Sequence, residues 1–234
     1  VTIRVITFDL DNTLWDVEPA LRRAEEAQRR WLLEHRPGAM EEVDHAALWQ
    51  LKKALWQAHP EYAHDVSRMR RILLRELQVR AGYAADEAAA GAEAAFAAFL
   101  GERQKVELYA EALQVLEALA QRYRLGALTN GNADVYKTDA GEYFDFAFLA
   151  EDIGASKPAP DMFHAALART GAAPHEVLHV GDNPEHDVLG ALDVGMRAIW
   201  VNADNSAWEH ERQPDATIGG LRELPEAVAA LAGP

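Results

Sequence analysis

The chain has 234 residues, 49% of them hydrophobic, a formal net charge of −15 and no cysteine. That content is enough for one large domain or two modest ones, and the acidity argues against nucleic acid or an anionic membrane surface as partner, since both need a basic face. The missing cysteines exclude disulfides, thiolate nucleophiles and zinc–thiolate sites. No run of about 18 uncharged apolar residues occurs, so no membrane span is expected. The opening VTIRVITFDL lacks the charged, apolar, small-residue pattern of a leader, and a cytoplasmic location is the default expectation.

The first predicted element is the apolar run at residues 5–8, read as a short buried parallel strand. It runs into FDLDNTL, which sets Asp9 and Asp11 at the carboxyl end of that strand. From about residue 18 to 104 the pattern is helical throughout. Pro19 suits a first helical turn, and Leu21, Ala24, Ala27 and Trp31 keep one face until Pro37 and Gly38 end it. Asp44 is the expected cap of a second helix carrying Leu48, Leu51 and Leu55, which ends before Pro60. Val66, Met69 and Leu73 mark a third, closed by Gly82, and Asp86 is the expected cap of an alanine-rich fourth ending in Phe96, Phe99 and Leu100. Four helices with short connections suggest a small bundle. Trp49 and Trp56, on one face of the second helix, belong either to its core or to an interface.

After about residue 105 strands and helices alternate. Leu113, Leu116 and Leu119 lie on a helix face, residues 125–129 form a strand, and Asn130-Gly131-Asn132 form a turn. Residues 146–150 read as strand, 161–169 as a helix closed by Gly171, 177–180 as strand, 185–193 as helix and 198–201 as strand. Such alternation implies a parallel sheet covered by helices. The expected fold class is therefore α/β: a Rossmann-like core of residues 1–15 and 105–234, with a helical bundle, residues 16–104, inserted after the first strand and expected to lie over its end.

Four features fall at or near strand ends, where open α/β sheets bind ligands. Asp9 and Asp11 alternate along extended chain and can address one small space; with a divalent cation, such a pair suits phosphoryl transfer. Thr129 and the backbone N–H groups after it can hold phosphate oxygens, although an ordinary turn would also explain them. Lys157, in GASKPAPDMF, precedes a proline and is held extended; its plain alternative is a solvated surface lysine. Asp182 and Asp187, in VGDNPEHDV, suit a hard cation such as Mg²⁺, with helix capping as the alternative.

In this order the set resembles the haloacid dehalogenase superfamily, most of whose members are Mg²⁺-dependent phosphatases. The family pattern is an apolar strand ending in D-x-D-x-T, then Ser or Thr, then Lys, then G-D-x(4)-D. Here these are DLDNT, Thr129, Lys157 and GDNPEHD, and the likeness spans the chain. The inserted helices look like the superfamily's C1-type cap. Ala110-Glu111 stands where relatives often have Pro-Gly, a departure at a helix start. The resemblance implies Asp9 as nucleophile, forming an aspartyl-phosphate, and Asp11 as the acid and base. It implies Thr129 and Asn130 as phosphoryl-positioning groups and Lys157 as the group that neutralises charge. Mg²⁺ would be bound by Asp9, Asp182 and the backbone carbonyl of Asp11, with Thr13 and Asp187 in support, the latter at Lys157 or at a metal-bound water.

Within the superfamily the chain looks most similar to bacterial phosphatases acting on FMN or on 5-amino-6-(5-phosphoribitylamino)uracil. ITFDLDNTL, EYAHDVSRMR and ALTNGN carry that likeness. Cap residues set substrate choice in the superfamily, which makes His64, Asp65, Arg68 and Arg70 candidates, against the plain reading of a solvated helix face. The implied partner is a small phosphorylated metabolite, handled by a monomer or homodimer. Three rivals stand beside this reading. A true 2-haloacid dehalogenase needs no Mg²⁺ and lacks the second aspartate. A phosphomutase would yield a phosphate isomer. A non-catalytic binding protein of the same fold should have lost at least one of Asp9, Asp11, Lys157 and Asp182.

Overall fold

A computed structural model describes residues 2–40 and 44–232. In chain order its main elements are β1 (Val5–Phe8), α1 (Val17–His35), α2 (His45–Ala58), α3 (Val66–Arg80), α4 (Ala85–Arg103), α5 (Ala112–Ala120), β2 (Arg124–Thr129), β3 (Phe146–Leu149), α6 (Ala150–Ile153), α7 (Asp161–Thr170), β4 (Val177–Gly181), α8 (Gly190–Asp193), β5 (Arg197–Val201), β6 (Ala216–Ile218) and α9 (Leu224–Ala232). The chain divides into two compact units, Val1–Val17 with Glu107–Pro234, and Glu18–Val106.

The first unit is built on a six-stranded sheet of order β3-β2-β1-β4-β5-β6. Every pairing is parallel. Parallel strands packed on both faces need apolar residues in succession, and all of β1 and β4 is buried. Strand order reverses between β1 and β4, where chain crossovers leave on opposite sides of the sheet. The loops after β1 and β4 therefore diverge and open a crevice at the sheet's carboxyl edge. Val5, Leu128, Phe146, Phe163, Val177, Val188 and Trp200 share the main core of this unit.

Some predicted elements differ in detail. Residues 185–193 are not one helix: a π-helical turn, Pro184–Leu189, precedes α8. Val188 N–H reaches back five residues to the Asn183 carbonyl (3.3 Å), and Asn183 Oδ1 caps the N–H groups of Glu185 and His186. The strand expected at 146–150 stops at Leu149, because Ala150 begins α6. On α5 the buried face is Ala112, Val115, Leu116 and Leu119, and Leu113 is turned outward. β6 and α9 were not anticipated: a three-residue strand carries too few positions to show an alternation.

In the second unit, Asp44 Oδ1 accepts the Ala47 N–H at 2.7 Å and caps α2. Asp65 does the same for α3 through the Arg68 N–H. Asp86 does not cap α4. Ala84 holds that position without a side-chain bond, and Asp86 lies in the first turn, where its charge still favours the helix dipole. Ala24, Leu32, Leu74, Ala92, Phe96 and Phe99 form the bundle core. Trp49 and Trp56 are 56% and 38% exposed and so are not core residues. Among the described residues, no helix is long and apolar enough to cross a membrane.

Close packing between β2 and β3 depends on one glycine. A Cβ on Gly126 would lie 2.2 Å from Cζ of Phe146, its registered neighbour. Gly126→Ala is expected to cost about 1–3 kcal/mol through overpacking, measured as a lower urea midpoint. Phe146→Leu in the same chain should return part of that loss, a coupling that an additive pair would not show.

Candidate active site

Asp9 and Asp182 directly follow β1 and β4, Thr129 ends β2, and Lys157 lies in the loop between α6 and α7. The Asp9 N–H is fixed by the Val180 carbonyl of β4 at 2.9 Å. The Lys157 ammonium has three hydrogens and donates to three oxygens: Asp9 Oδ1 (2.8 Å), Asp187 Oδ1 (2.6 Å) and the Leu128 carbonyl (2.6 Å). Lys157 is only 2% exposed, which rules out the surface reading of this lysine.

Other predicted residues hold this centre in place. The Asn130 amide donates to the Lys157 carbonyl at 2.9 Å and accepts the Lys157 N–H at 2.8 Å. Its side chain is thus spent on the lysine's backbone, which leaves the Asn130 backbone N–H as the group it can offer a ligand. Thr129 Oγ1 accepts the Gly131 N–H at 3.0 Å, an ordinary turn that still leaves its hydroxyl hydrogen to donate. Asp187 is encircled: Oδ1 also meets His179 Nε2 (3.3 Å), and Oδ2 accepts the Asn183 N–H (2.9 Å). Asp182 Oδ1 accepts the Thr13 hydroxyl at 3.4 Å. Asp11 Oδ1 accepts the indole N–H of Trp15 at 2.7 Å. Gly181 is required beneath this arrangement, since a Cβ there would fall 2.3 Å from Asp187 Cγ.

The remaining predicted residues belong to the second unit and have local roles. Asp65 is the α3 cap. The exposed Arg68 guanidinium stacks 3.6 Å over Tyr62. Arg70 lies over Phe99 at 3.7 Å and donates to Gln28, and His64 is half-buried. Several residues of the first centre were not anticipated. His179 bridges Thr7 Oγ1 (2.8 Å) and Asp187 from inside β4. Trp200 donates to the Asp182 carbonyl at 2.8 Å, and Trp15 donates to Asp11. In sequence these look like core residues of strands and turns. Only their polar ring atoms, which need partners when buried, hinted at more.

Asp9, Asp182 and Asp187 each bring one carboxylate oxygen within 4.8 Å of the others. Burial would raise Asp187, but the Lys157 ammonium and His179 hold it well below the usual carboxylate range. Burial also opposes charge on Lys157, yet Asp187 and Asp9 keep its pKa above the ordinary lysine value. Asp9 is pushed well up, first by burial and then by Asp187 and Asp182, against the pull of Lys157. Asp182 is raised to about 6 by burial and by Asp187. His179 is lowered by burial, against the pull of Asp187. One lysine is thus shared between Asp9 and Asp187, with the raised Asp182 carboxyl beside them. An all-oxygen set with unmet negative charge fits a hard divalent cation.

Comparison with known proteins bears on this site. A family profile described as "Hydrolase: haloacid dehalogenase-like hydrolase" matches residues 3–195. The chain is 34% identical over 230 residues to 5-amino-6-(5-phospho-D-ribitylamino)uracil phosphatase YigB of Escherichia coli (strain K12), covering 97% of this chain and 96% of that protein. It is 35% identical over 195 residues to phosphoserine phosphatase of Thermus thermophilus, covering 79% of this chain and 75% of that protein. It superposes with a TM-score of 0.93 on the crystal structure of 2-haloacid dehalogenase from Pseudomonas syringae pv. Tomato DC3000, at 43% identity over 98% of this chain and 99% of that one.

The charge imbalance has a measurable consequence. Because Asp182 is raised to about 6, the folded chain holds this proton better than the unfolded chain. In the metal-free protein its contribution to stability falls as pH rises through that value. A bound cation competes with the same proton. Mg²⁺ should therefore raise the melting temperature more at pH 7.5 than at pH 5, and Asp182→Asn should remove most of that increment. Equal increments at both pH values would contradict the assignment.

Proposed function

We propose that this chain, which belongs to the haloacid dehalogenase-like hydrolase family, hydrolyses a small phosphate monoester through an aspartyl-phosphate on Asp9, with Mg²⁺ held in the carboxylate cluster. The observation that carries the reading is the buried Lys157 ammonium, locked between Asp9 and Asp187 beside an under-neutralised Asp182. Such a site can receive a phosphate dianion only by balancing charge, and phosphoryl transfer is mostly positioning and charge stabilisation.

The chemistry follows from the side chains. Lys157 engages Oδ1 of Asp9, so Oδ2 is the oxygen that attacks phosphorus. The Oδ2–P bond forms as the ester P–O bond breaks, and the leaving oxygen takes a proton from the Asp11 carboxyl. Water then attacks phosphorus and gives a proton back to Asp11 as the Asp9–P bond breaks, releasing inorganic phosphate. Splitting one hard step into two easier ones is the advantage of the covalent route. The Thr129 hydroxyl and the Asn130 N–H hold phosphoryl oxygens. Mg²⁺, held by the Asp9 and Asp182 carboxylates and the Asp11 carbonyl with Thr13 in support, would neutralise charge on the phosphoryl group. Asp187 serves through Lys157.

Similarity to YigB over nearly the whole of both chains supports 5-amino-6-(5-phospho-D-ribitylamino)uracil as substrate, and the motif resemblance adds FMN, a second riboflavin-pathway phosphate. A second reading, release of halide from a 2-haloacid, is favoured by the name of the 43% identical structure. Asp11 weighs against it, because the resemblance implies that such dehalogenases lack the second aspartate.

One assay separates the readings. Phosphate release is expected from the two riboflavin-pathway phosphates, with Mg²⁺ and not after exhaustive chelation, and no chloride from 2-chloropropionate. The opposite outcome establishes the dehalogenase. Asp9→Asn should abolish turnover with the fold intact, and Asp11→Asn should slow it by about 10²-fold or more. In the cap segment, Arg68→Ala should raise KM for the preferred ester far more than for a small aryl phosphate. Equal changes would leave Arg68, and with it His64 and Asp65, as helix-surface and capping residues.

A further inference from the structure

Trp15 is fully buried, at 0% exposure, four residues beyond Asp11. Its indole N–H reaches Asp11 Oδ1 at 2.7 Å. The backbone fixes the ring's origin from several sides. Asn12 adopts φ +61°, which turns the chain back, and its N–H donates to the Trp15 carbonyl at 2.7 Å. Asn12 Oδ1 accepts the Val17 N–H at 3.2 Å. Trp15 also pairs with Leu108 in an isolated bridge, and the Tyr109 N–H donates to the Leu14 carbonyl at 2.9 Å. The turn that carries Asp11 is thereby tied to the segment where the chain re-enters the first unit. Asp11 does not belong to the cluster of Asp9, Asp182 and Asp187, and the indole N–H holds its Oδ1.

We infer that Trp15 is the positioning residue for proton transfer by Asp11. An indole N–H is a donor only, so the Asp11 oxygen it meets is the acceptor. It fixes Oδ1 as an acceptor, so the transferable proton belongs on Oδ2. This hydrogen bond restrains the rotation of the carboxyl group and favours Oδ2 as the oxygen that exchanges the proton with the leaving group. A phenylalanine at this position would fill most of the space and supply neither. The inference rests on the proposed role of Asp11 as proton donor, and its test separates the two.

The experiment compares kcat/KM, which reports the phosphoryl-transfer step, for two esters. One is an alkyl phosphate, whose alkoxide must be protonated to leave. The other is 2,4-dinitrophenyl phosphate, whose phenolate leaves unaided. Trp15→Phe should lower kcat/KM for the alkyl ester by about 10-fold or more and for the aryl ester by less than about threefold. Asp11→Asn should show the same selectivity with a larger loss. Half-saturation by Mg²⁺ should not change in Trp15→Phe. Replacing Trp15 by β-(3-benzothienyl)alanine, which keeps the ring shape and lacks the N–H, guards against a folding defect and should reproduce the pattern. If both Trp15 variants slow the two esters equally while Asp11→Asn discriminates, Trp15 is packing alone and the inference fails. A shift in Mg²⁺ half-saturation without leaving-group selectivity also overturns it, since Trp15 would then act through the Asp11 backbone. If Asp11→Asn itself fails to discriminate, the assignment of Asp11 falls, and this inference with it.

Discussion

The first unit is organised around a single buried ammonium. Lys157 meets a carboxylate after β1, a carbonyl of β2 and a carboxylate after β4. A lysine in a dry interior is tolerated only when all its hydrogens have partners. Each of those loops must therefore arrive within hydrogen-bond reach of one point. That demand explains features with no chemistry of their own. Gly181 has no side chain because Asp187 occupies its Cβ position. Asn130 holds the lysine's backbone on both its N–H and its carbonyl. The π-helical turn directs Asp187 inward while Asn183 caps the turn and donates to the same carboxylate.

Charge then sets the division of labour. The chain is acidic overall, and it concentrates three carboxylates in one pocket against a single lysine. Lys157 and His179 hold Asp187 well below the usual carboxylate range against the pull of burial. Asp9 and Asp182 are raised, first by burial and then by their neighbouring carboxylates. His179 lies against Asp187, and burial lowers its pKa. The folded state thus holds carboxylates that would be more comfortable in water, a cost that a site for charged ligands tolerates.

The legible part of this protein was the part that sits at strand ends. Asp9, Thr129, Lys157 and Asp182 each follow or adjoin a strand of parallel character, and a parallel sheet leaves few places for such residues to go. The α/β class and the helical stretch after β1 were visible for the same reason, since a change of hydrophobic period marks each element. What was hidden depended on the third dimension. No periodicity reveals that Trp15 turns its N–H toward Asp11, or that His179 faces Asp187 from within an apolar strand. Nor does it reveal that the Asn130 side chain holds the backbone of Lys157, where one amide satisfies both backbone groups of a neighbouring loop at once. Asp86 resembled a cap and lies just inside the helix, where acidic residues are favoured equally well.

The interrupted chain path of the first unit has a consequence for biosynthesis. β1 leaves the ribosome well before its partners: Thr7 and His179, hydrogen-bonded across β1 and β4, are 172 positions apart. At translation speeds of about 5–20 residues per second, the central strand waits on the order of 10–30 s for that neighbour. The helical unit is one continuous stretch, Glu18–Val106, and it can close on itself during the wait. A nascent chain at that stage therefore holds the whole helical unit and an orphaned apolar strand together. That strand is short, and the two aspartates that later serve the site follow directly on it. While the strand waits, they act as gatekeepers against premature association.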